Sequence, residues 1–406
     1  MNEDFLHYIW KFKRLATSNF TCTSNQQVTI EEFGIHNMFS GPDFKNAKVR
    51  IGNLLHVGHV EMHINSSDWY KHKHDLDRNY DNVVLHVVYN HDQEIIVNER
   101  SLPTIELKRY ALEPIETKFK KKFLEEDISC KNQLKELNEL LWRSQLDSML
   151  VSRLTRRLNE NIELLSLLNG DYNKLLDVLI GRTLGGPVNK EGFELLVETY
   201  PSNITSKIEQ NEESYKQLFL GLAGFELNPE DVTTFNYWNY YSSIYDVTQI
   251  TNRIWKYGRL MPKGFPYVRV KQFANIQRLK KEIMLSINDR LDFRQWMKLI
   301  QSNNKFNKDR EGNISPSMSQ KVIINAILPF IDVLNYRKTG ELNLDYHIQL
   351  LEEIPSEKNH IAKKWKENGV RINNAGESQG LIELYNEYCV KKQCLNCKFG
   401  VTFMAR

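Results

Sequence analysis

A chain of 406 residues is too long for one ordinary hydrophobic core and points to two domains. A charged fraction of 26% and a hydrophobic fraction of 41% exclude a disordered chain, and a formal charge of +3 excludes a strong whole-molecule field, so a nucleic-acid partner would have to be drawn by a local patch. No run resembles a membrane span of about 20 apolar residues, Glu3, Asp4, Lys11, Lys13 and Arg14 stand where a signal peptide needs an apolar run, and five cysteines, three of them near the C-terminus, do not make a secreted disulfide framework, so the expectation is a cytoplasmic protein with no membrane partner.

Asn2 or Asp4 can cap a first helix, in which Phe5, Ile9, Phe12 and Leu15 recur at helical spacing. Strand-like runs follow at 27–30, 47–51 and 59–64, the last two joined through Gly52-Asn53 as an antiparallel hairpin. Residues 66–81 are polar and read as a crossover. Residues 83–89 are apolar on both faces, the pattern of a strand covered on each side, and 94–97 and 104–107 add two more strands. Helix, three strands, crossover and buried strand make residues 1–127 an α/β domain with a mixed sheet. From Gln133 onward the period changes: Leu134, Leu137, Leu140, Leu141, Leu154, Leu158, Ile162 and Leu165 recur every three or four residues, and similar patterns continue to Tyr388. They are separated by helix-ending signals such as Gly185-Gly186-Pro187 and Gly264-Phe265-Pro266. Residues 128–406 therefore read as a larger all-α domain, and the chain as α+β. No fixed internal period supports a tandem-repeat solenoid.

The densest chemistry lies between Gly41 and Ile64. Val60, Met62 and Ile64 fall on one face of a strand and His59, Glu61 and His63 on the other. Such a polar face usually carries Thr, Lys or Ser. Two imidazoles and a carboxylate in that row, with Asp43 at the mouth of the preceding strand, are the donors a divalent cation takes. The plainer alternative is a solvated sheet face.

The order Pro42-Asp43, then Glu61-x-His63, resembles the signature of the restriction-endonuclease-like PD-(D/E)xK nuclease superfamily over the first hundred or so residues. The resemblance implies that Asp43 and Glu61 sit on adjacent strands and bind Mg²⁺, with Glu3 of the first helix in support. A cation so held polarises a phosphoryl oxygen and supplies hydroxide near neutral pH. The family's lysine is replaced by His63, whose ordinary pKa of about 6.5 leaves it mostly neutral at pH 7. It can orient or deprotonate water, but it is no permanent cation. With His59 beside it, Mn²⁺ or Zn²⁺ becomes as plausible as Mg²⁺.

Two further runs copy parts of such motifs. Glu106-Leu107-Lys108 has the letters of Glu-x-Lys but lies far from Asp43 and reads as an edge strand. His72-Lys73-His74-Asp75-Leu76-Asp77 approaches the His-x-His-x-Asp-His run of metallo-β-lactamase-type hydrolases, with leucine at the aspartate position and aspartate at the last histidine. It reads as a solvated crossover from which His72 or His74 can reach the rim of the first site.

Cys389-x4-Cys394-x2-Cys397 has the spacing of a metal knuckle, and thiolates suit Zn²⁺ or an iron–sulfur cluster. A closed site wants a fourth ligand; Cys22 and Cys130 are available, and Cys130, at the start of the helical part, is favoured. Between Arg253 and Lys281, Arg253, Lys256, Arg259, Lys263, Arg269 and Lys271 occur without an acidic residue and with Trp255, Tyr257, Phe265, Tyr267 and Phe273 interleaved. Cations track a phosphate backbone and rings stack on unpaired bases, so DNA or RNA contact is expected there, unless the rings are core and the lysines snorkel outward.

Over nearly its whole length the chain resembles a bacterial family of unknown function, on Glu3-Asp4-Phe5-Leu6-His7, Gly41-Pro42-Asp43-Phe44, Val60-Glu61-Met62-His63, Ser67-Asp68-Trp69, Leu85-His86-Val87-Val88-Tyr89 and the Tyr388-Cys389 to Gly400 segment. That likeness implies no activity. The residues point to a metal-dependent nuclease. The alternatives are a non-catalytic nucleic-acid-binding or scaffold protein on a degenerate nuclease fold, and a zinc hydrolase built on His59, Glu61 and His63.

Overall fold

The computed structural model describes residues 3–15, 17–37, 41–97, 99–110, 127–227, 232, 235–245, 247–258, 260–305 and 310–405. Helix α1 (Glu3–Lys11) buries Phe5, Leu6, Ile9 and Trp10. Strands β1 (Asn19–Thr21), β2 (Gln27–Glu32), β3 (Ile35–His36), β4 (Phe44–Ile51) and β5 (Leu54–Asn65) follow. The crossover consists of α2 (Asp68–Lys71) and two 3-10 turns, His74–Leu76 and Arg78–Tyr80. Then come β6 (Val83–Asn90), a small ribbon of β7 (Ile96–Val97) and β8 (Arg100–Ser101), and β9 (Thr104–Glu106). The main sheet runs β1-β2-β4-β5-β6-β9, with β3 paired to β4; β1, β2, β4 and β5 are antiparallel neighbours, and β5, β6 and β9 are parallel. The mixed sheet followed by helices makes the chain α+β, as the two hydrophobic periods predict.

The chain forms two compact units. One holds Met1–Asp147, His360–Arg371 and Leu381–Arg406, the other Ser148–Asn359 and Ile372–Gly380.

In the first unit, Phe5, Leu6, Ile9 and Trp10 share a core with Val28, Phe44, Val49, Val60, Met62, Leu85 and Val87. Full burial of a side chain such as Phe44 is worth about 1.5–3 kcal/mol. The alternation in β5 is as expected, but its polar face is not solvated: Glu61 is 4% exposed and His63 1%. The crossover covers that face, since Trp69 of α2 meets the His74 and His86 rings edge-on at 5.5 Å. A parallel β5–β6 pair needs such a crossover, and the crossover needs something to rest on.

The start of the crossover is tied by Asp92. Its carboxylate accepts from Ser66 Oγ (2.9 Å), the Ser67 amide (2.9 Å) and Ser67 Oγ (2.7 Å). Burial works against the charge, but these donors outweigh it and hold the pKa at about 2, against an ordinary 3.8. A depressed folded-state pKa contributes stability that is complete above about pH 4 and is lost as pH falls towards 2. Because Asp92 is exposed, Asp92→Asn should cost only about 1 kcal/mol at pH 7. The urea-midpoint difference between wild type and variant should shrink towards zero below that window; a difference independent of pH would refute this.

The second unit is helical around a core that includes Leu154, Leu179, Phe193, Phe219, Phe273, Ile324 and Phe330. Gly185-Gly186-Pro187 ends a helix, as its residues predict: within Tyr172–Glu198 Gly186 takes the non-helical φ 56° and ψ −160°, and a second helical stretch follows the kink. The segment Pro316–Thr339 corrects the expectation that no run matches a membrane span: it is long and apolar enough by length and composition. Its most apolar window is 72% buried inside the structure, and a π turn at Ile323–Ile327 interrupts it. Such burial is that of a core helix.

Candidate metal centre

Asp43 lies just before β4. Gly41, at φ 95°, turns the chain into it in a backbone conformation that suits glycine, and the Asn37 amide closes on Asp43 O at 2.7 Å. The ends of β4 and β5 then clasp one another: the Asp43 amide donates to Glu61 Oε2 at 3.0 Å, and the Met62 amide donates to Asp43 Oδ2 at 2.9 Å. The two carboxyl groups expected to converge from 18 residues apart are therefore side by side. From α1, His7 Nε2 reaches Asp43 Oδ2 at 3.1 Å.

Imidazoles fill the space beside Glu61. His63 Nε2 is 3.6 Å from Glu61 Oε1, and His74 Nε2 is 3.3 Å from the same oxygen. His63 Nε2 is 3.1 Å from His72 Nδ1, and His63 Nδ1 is 2.9 Å from His86 Nε2. Among the described residues, His63, His72 and His74 form a group whose ligand atoms all lie within 4.8 Å of one another. His74 Nε2 is buried without a hydrogen-bond partner, as is His86 Nδ1. A tetrahedral ion with nitrogen bonds of 2.0–2.1 Å sets its donors about 3.3 Å apart. The 3.1 Å from His63 to His72, and the 3.3 and 3.6 Å from Glu61 to His74 and His63, are of that size, while Glu61 stands beside the group of three imidazoles rather than within it.

The rings are held by aromatic walls and one unusual residue. His74 stacks on Tyr80 at 3.8 Å. Lys73 is left-handed at φ 61°, which turns the chain so that His72 and His74 approach the same point. A non-glycine residue there costs about 1 kcal/mol, recovered by the packing of the two rings.

The electrostatics are those of crowded carboxyls in a dry place. Burial, then the neighbouring Asp43 charge, pushes Glu61 up to about 9. Burial would raise Asp43 too, but His7 and the Met62 amide outweigh it and hold it below its ordinary value. His63 falls to about 4 through burial and the nearby His74, so it is a neutral ring at pH 7. Glu3 is raised by burial, partly offset by His7, and lies within electrostatic reach of Asp43 and His72.

Of the residues singled out from sequence, Asp43, Glu61, His63 and Glu3 gather here, and His59 does not. A bulge interrupts the β4–β5 register between Phe44 and Ala47, where Asn46 is left-handed at φ 58° and donates its amide to His59 Nδ1 at 3.3 Å. The β5–β6 register also shifts between His59 and Val60, which takes His59 out of the row of Glu61 and His63. His72 and His74 replace it, and His7 and His86 were not anticipated as site residues. The signal for His7 was its place four residues after Glu3, on the same face of α1. Glu106 is used locally, accepting from the His91 amide at 3.0 Å and Arg109 Nε at 2.9 Å.

Cys130, Cys389, Cys394 and Cys397 line one cleft in the first unit, with Ser129, Tyr388 and Gly400. Cys22 is elsewhere, in the sheet core, with its sulfur 3.1 Å from Ser24 Oγ.

The basic segment of the second unit is largely interior. Trp255 and Phe273 are 4% and 0% exposed, and Lys271, 7% exposed, meets Glu311 at 3.2 Å. Arg269 donates to Gln272 at 2.7 Å and Lys256 Nζ is 3.8 Å from Glu191. Arg253 and Lys263 are exposed, and Arg259 lies outside the described residues. The unbroken row of cations in sequence is thus not an unbroken row on the surface, because the helix Pro266–Gln277 turns Lys271 inward.

No curated protein and no solved structure matches this chain. A family model described as "Protein of unknown function (DUF2851)" matches residues 3–360, and the chain belongs to that family.

Proposed function

We propose that the protein is a metal-dependent hydrolase of phosphodiester bonds, with DNA or RNA as substrate and a divalent cation held by Glu61, His63, His72 and His74 beside Asp43. The observation that carries this reading is the group of three imidazoles whose donor atoms all lie within 4.8 Å of one another, with Glu61 3.3 and 3.6 Å from two of them, beside the clasp between Asp43 and Glu61. Three imidazole nitrogens beside one carboxyl oxygen favour Zn²⁺ over the Mg²⁺ of the carboxylate-only expectation. A cation bound here supplies a Lewis acid and a water of lowered pKa. With its proton on Nδ1, shared with His86, His63 presents the Nε2 lone pair to the cation, and His86 is the outer partner that fixes the ring. That assigns His63 to holding the cation rather than to deprotonating water. Asp43, fixed by the Met62 amide and by His7, adds negative charge next to the ion. The strand order supports a phosphodiester substrate: a helix, an antiparallel β2-β4-β5 run, a crossover and a parallel β6 bring Asp43, just before β4, next to Glu61 of β5, an arrangement similar to the one the nuclease resemblance implies.

Single-turnover digestion of labelled DNA and RNA with Zn²⁺, Mn²⁺ or Mg²⁺ tests the reading. Cleavage by wild type that falls at least about 100-fold in His74→Ala supports it. Identical traces for the two proteins, or no metal-dependent cleavage, would sink it.

A further inference from the structure

The second cluster of ligating side chains lies apart from the histidines, in the cleft lined by Cys130, Cys389, Cys394 and Cys397. These residues come from segments 259 positions apart in sequence, and none is in a disulfide. Four thiols meeting by chance in one cleft of a chain with five cysteines is a poor account of it.

The local structure is that of a ligand loop. Cys394 opens a 3-10 turn, Cys394–Asn396, and Cys397 follows as the residue before the helix Lys398–Ala405. The Cys397 amide closes on Cys394 O at 3.3 Å. The amides of Phe399 and Gly400 bond the Cys397 sulfur, and Ser129 bonds that of Cys394. Gly400 has to be glycine, because a Cβ would stand 2.1 Å from the Cys394 carbonyl oxygen. Burial pushes all four thiols above their ordinary pKa, Cys397 to about 11. Buried thiols with amide donors aimed at them are groups prepared to carry charge when a cation arrives.

The spacing separates the two thiolate-bound centres. A single zinc ion with sulfur bonds of about 2.3 Å brings every pair of sulfurs to about 3.8 Å. Among the described residues no trio of these sulfurs lies within the 4.8 Å that the three imidazoles satisfy. In a cluster each thiolate binds a different iron, so the sulfurs surround a larger object and stand farther apart.

We infer that Cys130, Cys389, Cys394 and Cys397 ligate an iron–sulfur cluster of the four-iron class, which fastens the C-terminal segment to the chain around Cys130. The centre is independent of the hydrolytic reading, since it shares no residue with it.

The full-length chain, purified under nitrogen from iron-replete cells, should contain about four iron and four acid-labile sulfide per chain, with a broad visible charge-transfer band that bleaches with dithionite. Cys394→Ser and Cys389→Ser should lose at least half of the iron, whereas Cys22→Ser and His74→Ala should keep it all. The inference is overturned by stoichiometric zinc without iron, by a chain that stays free of iron and sulfide after reconstitution with ferrous iron and sulfide, or by undiminished iron in both ligand variants. Because the wild-type metal and sulfide content decides by itself, a serine variant that failed to fold would leave the test standing.

Discussion

Glu61→Gln should remove the protein's response to Zn²⁺ or Mn²⁺ while leaving its metal-free stability within about 1 kcal/mol of wild type. The amide has the shape of the carboxyl, and its Oε1 can still accept the Asp43 amide hydrogen that Glu61 Oε2 takes at 3.0 Å. It cannot bring a negative oxygen to the point where His63 Nε2 and His74 Nε2 lie 3.6 and 3.3 Å away. A ligand that binds only the folded state stabilises it by RT ln(1 + [L]/Kd), about 2.7 kcal/mol at a hundred times Kd. Wild type should therefore unfold at a higher temperature when metal is added, Glu61→Gln should show little or no rise, and cleavage by the variant should fall at least about 100-fold. Equal metal-dependent shifts in the two proteins would show that Glu61 is no ligand. The thermal readout does not depend on knowing the substrate.

Lys280→Met is expected to cost about 3–5 kcal/mol, the largest effect of any single change away from the centre. Lys280 Nζ is 2.7 Å from Asp177 Oδ1 and also donates to Asn173 O at 3.2 Å. The two side chains are 6% and 0% exposed. Tyr200 OH and Gln277 Nε2 donate to the same carboxylate at 3.1 and 2.8 Å, so it is fully engaged inside the helical unit. Removing the ammonium leaves a buried carboxylate with two neutral donors and no counter-charge. Replacing both partners by apolar residues removes the desolvation cost along with the attraction, so Asp177→Leu with Lys280→Met should be closer to wild type than Lys280→Met alone. Urea denaturation of the four proteins of the cycle measures this, with unchanged slopes as the check that the transition stays two-state. A loss below about 1 kcal/mol in Lys280→Met would mean that the pair is solvated in the native state.

Much of the architecture was legible because its signals are local. Gly52-Asn53 between two alternating runs gave the β4–β5 hairpin, and Ile51 does pair with Leu54 across it. Val83 to Tyr89, apolar on both faces, is β6, paired on both edges. Period also served at the centre, where Val60 and Met62 face the α1 core while Glu61 and His63 face the other way. It failed at His59, because a bulge is one inserted residue set by a partner strand, and nothing in the alternation of a single strand marks it.

The segment around His74 shows the same division. As letters, His72-Lys73-His74-Asp75-Leu76-Asp77 is polar and looks solvated. Only the parallel pairing of β5 with β6 forces the crossover down onto the polar face of β5, where Trp69 and Tyr80 provide the walls. The basic run from Arg253 to Lys281 errs in the opposite direction, since charge in sequence says nothing about which way a helix is turned, and Lys271 and Lys280 are turned inward to Glu311 and Asp177.

Residue order alone settled the fold class, the hairpin, the change from strand to helical period and the pair Asp43 and Glu61, all of which rest on periodicity or turn chemistry within a few residues. Tertiary packing decided which imidazoles lie beside that pair, that Cys130 rather than Cys22 shares a cleft with the C-terminal cysteines, and which lysines are spent inside. Those choices turn on bulges, crossovers and helix rotation, where segments distant in the chain meet and the free energy belongs to the contact rather than to either segment.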